Sequence, residues 1–190
     1  MDEKIFNGKK LVIIDLDGTL GKLDVDWVAS RKLFEEYSLK EFEIKFKEGM
    51  RLDEMENFLV NKFGLGSFDK IFCKRRIFES EGVIGSNLNQ ELVEKMKSLK
   101  ARNIKIAIYS NNLFETVNNF LSFHKLGEFV DISVGVNKNI PPKPDPLGMK
   151  KILDATGISV KDSLFIGDND STDGKVAKIL EMDYLDIQTP

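Results

Sequence analysis

The chain has 190 residues, with 28 Lys plus Arg against 31 Asp plus Glu, a formal net charge of −3, and a composition that is 42% hydrophobic and 31% charged. That length suits one domain, or a core with a small insertion, burying roughly 70% of the surface the unfolded chain exposes. It is too short for an eight-fold α/β barrel, the composition excludes a disordered or collagen-like chain, and the slight excess of acid argues against a general nucleic-acid binder, which needs clustered Lys and Arg.

In chain order, Leu11-Val12-Ile13-Ile14 is a continuous β-branched run that predicts a strand buried on both faces, as in a parallel sheet. Residues 21–83 hold no clear strand and predict helices near Trp27–Tyr37, Glu41–Met50, Leu52–Phe63 and Phe68–Phe78, with Gly64-Leu65-Gly66 as the turn between the last two. Leu88, Leu92, Val93, Met96 and Leu99 recur at helical spacing behind Ser86 or Asn87 as cap. A strand over Ile104–Tyr109 and a helix carrying Leu113, Val117, Phe120 and Leu121 follow, then a strand over Phe129–Val134. Asp145-Pro146 opens a helix that Gly157 stops. A strand over Ser163–Ile166, a helix from Ser171 to Glu181 and a strand over Tyr184–Ile187 complete the pattern. This alternation specifies an α/β fold: a Rossmann-like parallel sheet flanked by helices. The expected organisation is 1–20 as the first strand of the core, 21–83 as an inserted helical cap, and 84–190 as the rest of the core.

The single cysteine, Cys73, excludes an intramolecular disulfide and a multi-cysteine zinc site and reads as a small buried hydrophobe in a cytoplasmic protein. No run is long enough for a signal peptide or a membrane span, so no membrane partner is expected.

Chemistry gathers at the strand ends, where open α/β sheets bind ligands. Asp15-Leu16-Asp17-Gly18-Thr19 follows the first strand, and two neighbouring carboxylates there must share a proton or be neutralised by a cation. A hard cation such as Mg²⁺ suits oxygen ligands and leaves one carboxylate free to act as nucleophile. Ser110-Asn111-Asn112 presents donors that can converge on an anion. In Pro141-Pro142-Lys143-Pro144-Asp145-Pro146, prolines fix the backbone around one lysine. Gly167-Asp168-Asn169-Asp170-Ser171-Thr172-Asp173 is an acidic junction whose simplest account is metal binding, with Asp168 as the inner ligand candidate. Lys74-Arg75-Arg76 reads as a solvated helix face, Arg51 and Lys47 carry no clear placement, Trp27 reads as packing, and His124 as non-catalytic.

These four motifs in this order resemble those of the haloacid dehalogenase-like superfamily, over 1–20 and 84–190. The resemblance implies that Asp15 is the nucleophile forming an aspartyl-phosphate and that Asp17 is the acid and base, with its main-chain carbonyl on the metal. It further implies that Ser110 and Lys143 hold the phosphoryl oxygens and Thr19 steadies the loop; Asn111, beside Ser110, is a further phosphate-binding candidate as a donor of the same segment. Asp168 would complete the Mg²⁺ site, supported by Asp173 or, because the spacing is one residue longer than in many relatives, by Asp170. An acid at position 17 excludes a dehalogenase. The implied activity is Mg²⁺-dependent hydrolysis of a small phosphorylated metabolite, a phosphoglycolate-like acid or a sugar phosphate. A phosphomutase, or a non-catalytic phospho-aspartate switch, are the alternatives; Asp17 and the cap speak against the second.

Overall fold

The computed structural model describes residues 3–187. Five parallel strands form the central sheet: β1 (Leu11–Ile14), β4 (Lys105–Leu113), β5 (Ile132–Val136), β6 (Ser163–Gly167) and β7 (Asp183–Asp186), in the order β5-β4-β1-β6-β7. A two-residue antiparallel ribbon, β2 (Gly21–Lys22) with β3 (Asn87–Leu88), brackets helices α1 (Trp27–Phe42), α2 (Leu52–Phe63) and α3 (Phe68–Gly82). The remaining helices are α4 (Gln90–Ala101), α5 (Phe114–Phe123), α6 (Leu147–Thr156) and α7 (Lys175–Leu180). Among the described residues, no helix is long and apolar enough to cross a membrane.

Strand β1 is central because all four of its side chains are buried, two on each face. Val12 and Ile14 pack with Leu92, Met96 and Leu99 of α4 and Val117 and Phe120 of α5. Leu11 and Ile13 pack with Met149 and Ile152 of α6 and Val176 and Ala177 of α7. The chain runs outward from β1 through β4 to β5 and then returns to lay β6 on the other side of β1, so the order reverses beside β1. Ligands of open α/β sheets bind at that reversal, beyond the carboxyl ends of the strands. Helices α1 to α3 share a separate apolar cluster, Phe34, Met55, Leu59, Ile71 and Phe72, joined to the core through Leu113 and Val136.

Several elements depart from expectation. No helix forms over Glu41–Met50; α1 runs on to Phe42, Glu43 takes a left-handed conformation at φ 56°, and Ile44, Phe46 and Met50 pack from irregular backbone. Ribbon pairing claims Asn87 and Leu88, so α4 starts later, capped by Asn89, whose Oδ1 accepts the Leu92 N–H at 3.2 Å. Strand β4 extends past Tyr109 to Leu113 through a register shift against β5, and β5 begins three residues after the expected Phe129. The predicted last helix divides: Asp170–Gly174 makes a wider turn in which Asn169 O accepts N–H groups from Thr172, Asp173 and Gly174, and α7 follows. Cys73 is half-buried rather than buried, its thiol donating to Lys70 O.

Candidate active site

The carboxyl ends of β1, β4 and β6 and the loop before α6 meet at one buried ammonium. Lys143 is 2% exposed, and its Nζ donates to Asp15 Oδ1 and to Asp173 Oδ1, both at 2.6 Å, and to Tyr109 O at 3.2 Å. Its backbone is pinned as the proline-rich loop suggests: the Lys143 N–H donates to Asn111 Oδ1 at 2.6 Å, and its carbonyl accepts from Asn57 Nδ2 at 3.2 Å. Asp15 continues β1, its N–H donating to Ile166 O. The backbone then turns, with Thr19 and Gly21 N–H groups donating to Leu16 O, which buries Leu16 and leaves Asp15 and Asp17 on the same cavity.

Carboxylate oxygens of Asp15, Asp168 and Asp173 all lie within 4.8 Å of one another. Three carboxylates against one ammonium leave an excess of negative charge, and hard oxygen donors at this spacing fit a small divalent cation. Burial raises the Asp15 carboxyl to about 7 against the pull of Lys143, with Asp173 and Asp168 adding to the rise. Burial likewise raises Asp168, with repulsion from Asp173 second. Lys143 is held above the ordinary lysine range, because Asp15 and Asp173 outweigh its burial. A bound cation would relieve this crowding of carboxyls.

The spacing had left Asp170 and Asp173 as alternatives. Asp173 is 1% exposed and sits in the cluster, where its Oδ2 also accepts the Asn169 N–H at 3.3 Å. Asp170 is exposed, with its carboxylate against Gly174. Thr19 is buried and its hydroxyl donates to Asp168 Oδ1 at 3.3 Å. Gly18, at φ 92°, lets the loop pass close to Asp168; a Cβ there would overlap that carboxylate. The Asp17 carboxylate stands outside the triad, Oδ1 accepting the Leu23 N–H at 2.8 Å, and burial chiefly raises its affinity for a proton. Ser110 and Asn111 line the same cavity.

That cavity, about 460 Å³, is walled on its far side by Trp27, Arg31, Arg51, Leu52 and Arg75 from the helical segment. Arg51 reaches across it, Nη1 donating to Ser171 Oγ at 3.1 Å. Trp27 does more than pack within its own segment: it lines the cavity with the Arg75 guanidinium 5.6 Å from its ring centre. His124 lies apart, its Nε2 at 2.8 Å from Ser86 Oγ.

The basic triplet is corrected at its middle residue. Arg75 is 6% exposed and bonds Glu56 Oε2 through Nη1 at 2.5 Å, Glu79 Oε1 through Nε at 2.5 Å and Asn111 O through Nη2 at 2.8 Å. Burial alone would lower its proton affinity, but the two glutamates more than offset this. The sequence pattern did not mark Glu56 and Glu79, both fully buried. The signal was available in the helix period: Phe68, Ile71, Phe72, Arg75, Glu79 and Gly82 are the buried positions of α3, and charges on that stripe need buried partners.

A family model described as haloacid dehalogenase-like hydrolase matches residues 12–187. The chain belongs to the haloacid dehalogenase-like hydrolase family. It is 27% identical over 167 residues to a phosphoglycolate phosphatase of Aquifex aeolicus, covering 85% of this chain and 77% of that one. It is 25% identical over 184 residues to the pyrophosphatase PpaX of Listeria monocytogenes, covering 95% and 78%. Among solved structures, a subfamily IA hydrolase of the same superfamily from Geobacter sulfurreducens superposes with a TM-score of 0.60 at 18% identity, covering 96% of this chain and 89% of that one. A haloacid dehalogenase-like hydrolase from Streptococcus pneumoniae gives 0.63 at 15% identity, covering 94% and 84%. These two likenesses establish the fold.

Proposed function

We propose that this haloacid dehalogenase-like chain is a Mg²⁺-dependent cytoplasmic phosphatase that hydrolyses a small phosphorylated metabolite through an aspartyl-phosphate on Asp15. The observation that carries the reading is the Lys143 ammonium, 2.6 Å from both Asp15 and Asp173, at the floor of a cavity that Asp17 also lines. The relatives named phosphoglycolate phosphatase and pyrophosphatase PpaX support a small anionic phosphate ester or anhydride as substrate class.

In this reading Asp15, Asp168 and Asp173, with the Asp17 carbonyl, would hold Mg²⁺, which would neutralise the charge of the incoming phosphoryl group. Asp15 then attacks phosphorus, and the P–O bond to the leaving group breaks. Asp17, whose burial raises its affinity for a proton, serves as the acid that gives a proton to the leaving oxygen. It takes one back from the water that attacks phosphorus in the second step, which releases phosphate and restores the Asp15 carboxylate. Lys143, Ser110 and Asn111 stabilise the equatorial oxygens in both steps. Segment 21–83 acts as a lid whose face, with Trp27, Arg31 and Arg51, excludes water. The test is hydrolysis of para-nitrophenyl phosphate: turnover that needs Mg²⁺, stops with EDTA and is lost in Asp15→Asn supports the reading, and turnover retained in that variant contradicts it.

A further inference from the structure

A chain of buried polar contacts, most of whose side chains the proposed mechanism does not use, leads from Glu56 to Ser110. Arg75 bonds Glu56 and Glu79 on one side and the Asn111 carbonyl on the other. Glu79 in turn accepts three hydrogen bonds: Oε1 from Arg75 Nε at 2.5 Å and from Asn112 Nδ2 at 3.1 Å, and Oε2 from the Leu113 N–H at 2.9 Å. Asn112 then meets the serine twice. Its Oδ1 accepts from Ser110 Oγ at 2.8 Å, and its N–H donates to Ser110 Oγ at 3.1 Å.

The polarity of this chain is determined at one point. Both Glu79 oxygens face donors, so only the NH₂ end of the Asn112 amide can turn toward Glu79, and the carbonyl end must turn toward Ser110. With its oxygen accepting the Asn112 N–H and its O–H donating to Asn112 Oδ1, Ser110 can redirect its own proton to a phosphoryl oxygen by rotation about the Cβ–Oγ bond alone. The segment involved is where β4 shifts register against β5 between Tyr109 and Leu113, so its backbone groups need partners from outside the ladder. Arg75 and Glu79 provide them for Asn111 and Leu113. Burying charges at this depth is a poor way to gain stability, since well-packed apolar side chains do as well or better.

We propose that Glu79, held in place by Arg75, is a positioning residue that orients Asn112 and through it the Ser110 hydroxyl, so that helix α3 prepares the phosphate-binding end of β4. The proposal rests on the reading of Ser110 as a phosphoryl ligand.

The experiment measures kcat, KM and the inhibition constant of inorganic phosphate, with para-nitrophenyl phosphate and Mg²⁺, in Glu79→Gln, Asn112→Ala and their double variant. Thermal unfolding of each is recorded alongside. A glutamine at 79 must present its NH₂ to at least one of the three donors, so we expect kcat to fall about 30-fold and the phosphate inhibition constant to rise about 10-fold. Asn112→Ala, which leaves the lid's own contacts with Arg75 in place, should show the same pattern. The double variant should be no worse than the worse single, because both break one relay. Arg75→Lys, which keeps the charge, should recover part of what Arg75→Gln loses, and Arg76→Gln on the solvent side of α3 should match wild type. Lowered melting temperatures with unchanged kcat and phosphate inhibition, or effects of the two substitutions that multiply, would overturn the positioning role. Asp15→Asn run in parallel separates the levels: loss of its turnover together with a multiplying pair defeats the relay alone, whereas retained turnover defeats the phosphatase reading and the relay with it.

Discussion

Two buried cations, each clamped between two carboxylates, line the same cavity. Lys143 lies between Asp15 and Asp173, and Arg75 lies between Glu56 and Glu79. In the lysine cluster a third carboxylate, Asp168, joins the pair and the cavity opens over it. In the arginine cluster the hydrogen-bonding groups are taken up by the protein itself: the guanidinium also holds Asn111 O, and Glu79 holds Leu113 N–H and Asn112. Lysine's ammonium is a compact charge that can share its carboxylates with a cation, while the planar guanidinium fixes several partners at set angles. The first arrangement suits chemistry and the second suits placement.

Breaking each cluster at its cation should therefore give different losses. Lys143→Met should lower kcat on para-nitrophenyl phosphate by about 10³ or more, since it removes both the counter-charge of Asp15 and a phosphoryl ligand. Arg75→Met should be read first in stability, costing on the order of 3–5 kcal/mol in denaturant unfolding, because it leaves two glutamates buried without their partner. An Arg75→Met protein as stable as wild type would erase the distinction.

Metal addition sharpens the comparison. Mg²⁺ at about 100 times its dissociation constant should stabilise wild type by about 2.7 kcal/mol. That gain should vanish in Asp168→Asn and persist in Asp170→Asn, as thermal shift measurements with and without EDTA can show. A gain lost in Asp170→Asn instead would place the cation at the wrong acid.

The smallest expected effect concerns pH. Burial, only partly relieved by Arg75 and with Glu79 repelling, raises Glu56 from 4.5 to about 7. A carboxyl with a folded-state value above its unfolded one binds more protons when folded, so its contribution is full below about pH 4.5 and is lost as pH rises through 7. Its Oε1, buried without a hydrogen-bond partner among the described residues, fits an oxygen that can carry the proton. Glu56→Gln should flatten the decline in stability between pH 5 and 8 by on the order of 2 kcal/mol, read from urea midpoints. An unchanged slope would show that Glu56 stays ionised beside Arg75.

The lysine cluster was legible in the sequence because most of its members follow a strand or sit among prolines: Asp15 after β1, Lys143 in the proline-rich loop, Asp168 after β6. Parallel strands align their ends, so residues far apart in the chain share one place by topology alone. The choice between Asp170 and Asp173 was not legible, because the wider turn at Asp170–Gly174 changes which side chain points inward. The arginine cluster escaped for a different reason. Arg75 stands between Lys74 and Arg76, and composition there hides that only the middle residue lies on the apolar stripe of α3. Its partner Glu56 comes from another helix, α2, and Asn111 from the core, a convergence that depends on how the helical segment packs. The false helix over Glu41–Met50 has a local cause: its apolar residues have helical spacing, but the left-handed Glu43 ends α1 and those side chains pack from irregular backbone.

In the proposed mechanism phosphorus is attacked twice, first by Asp15 and then by water. A phosphorothioate ester made chiral with oxygen isotopes and hydrolysed in isotope-labelled water reports this directly, because each in-line displacement inverts the configuration. Two displacements give net retention at phosphorus; net inversion would mean that water attacks the substrate in one step and that Asp15 is not the nucleophile.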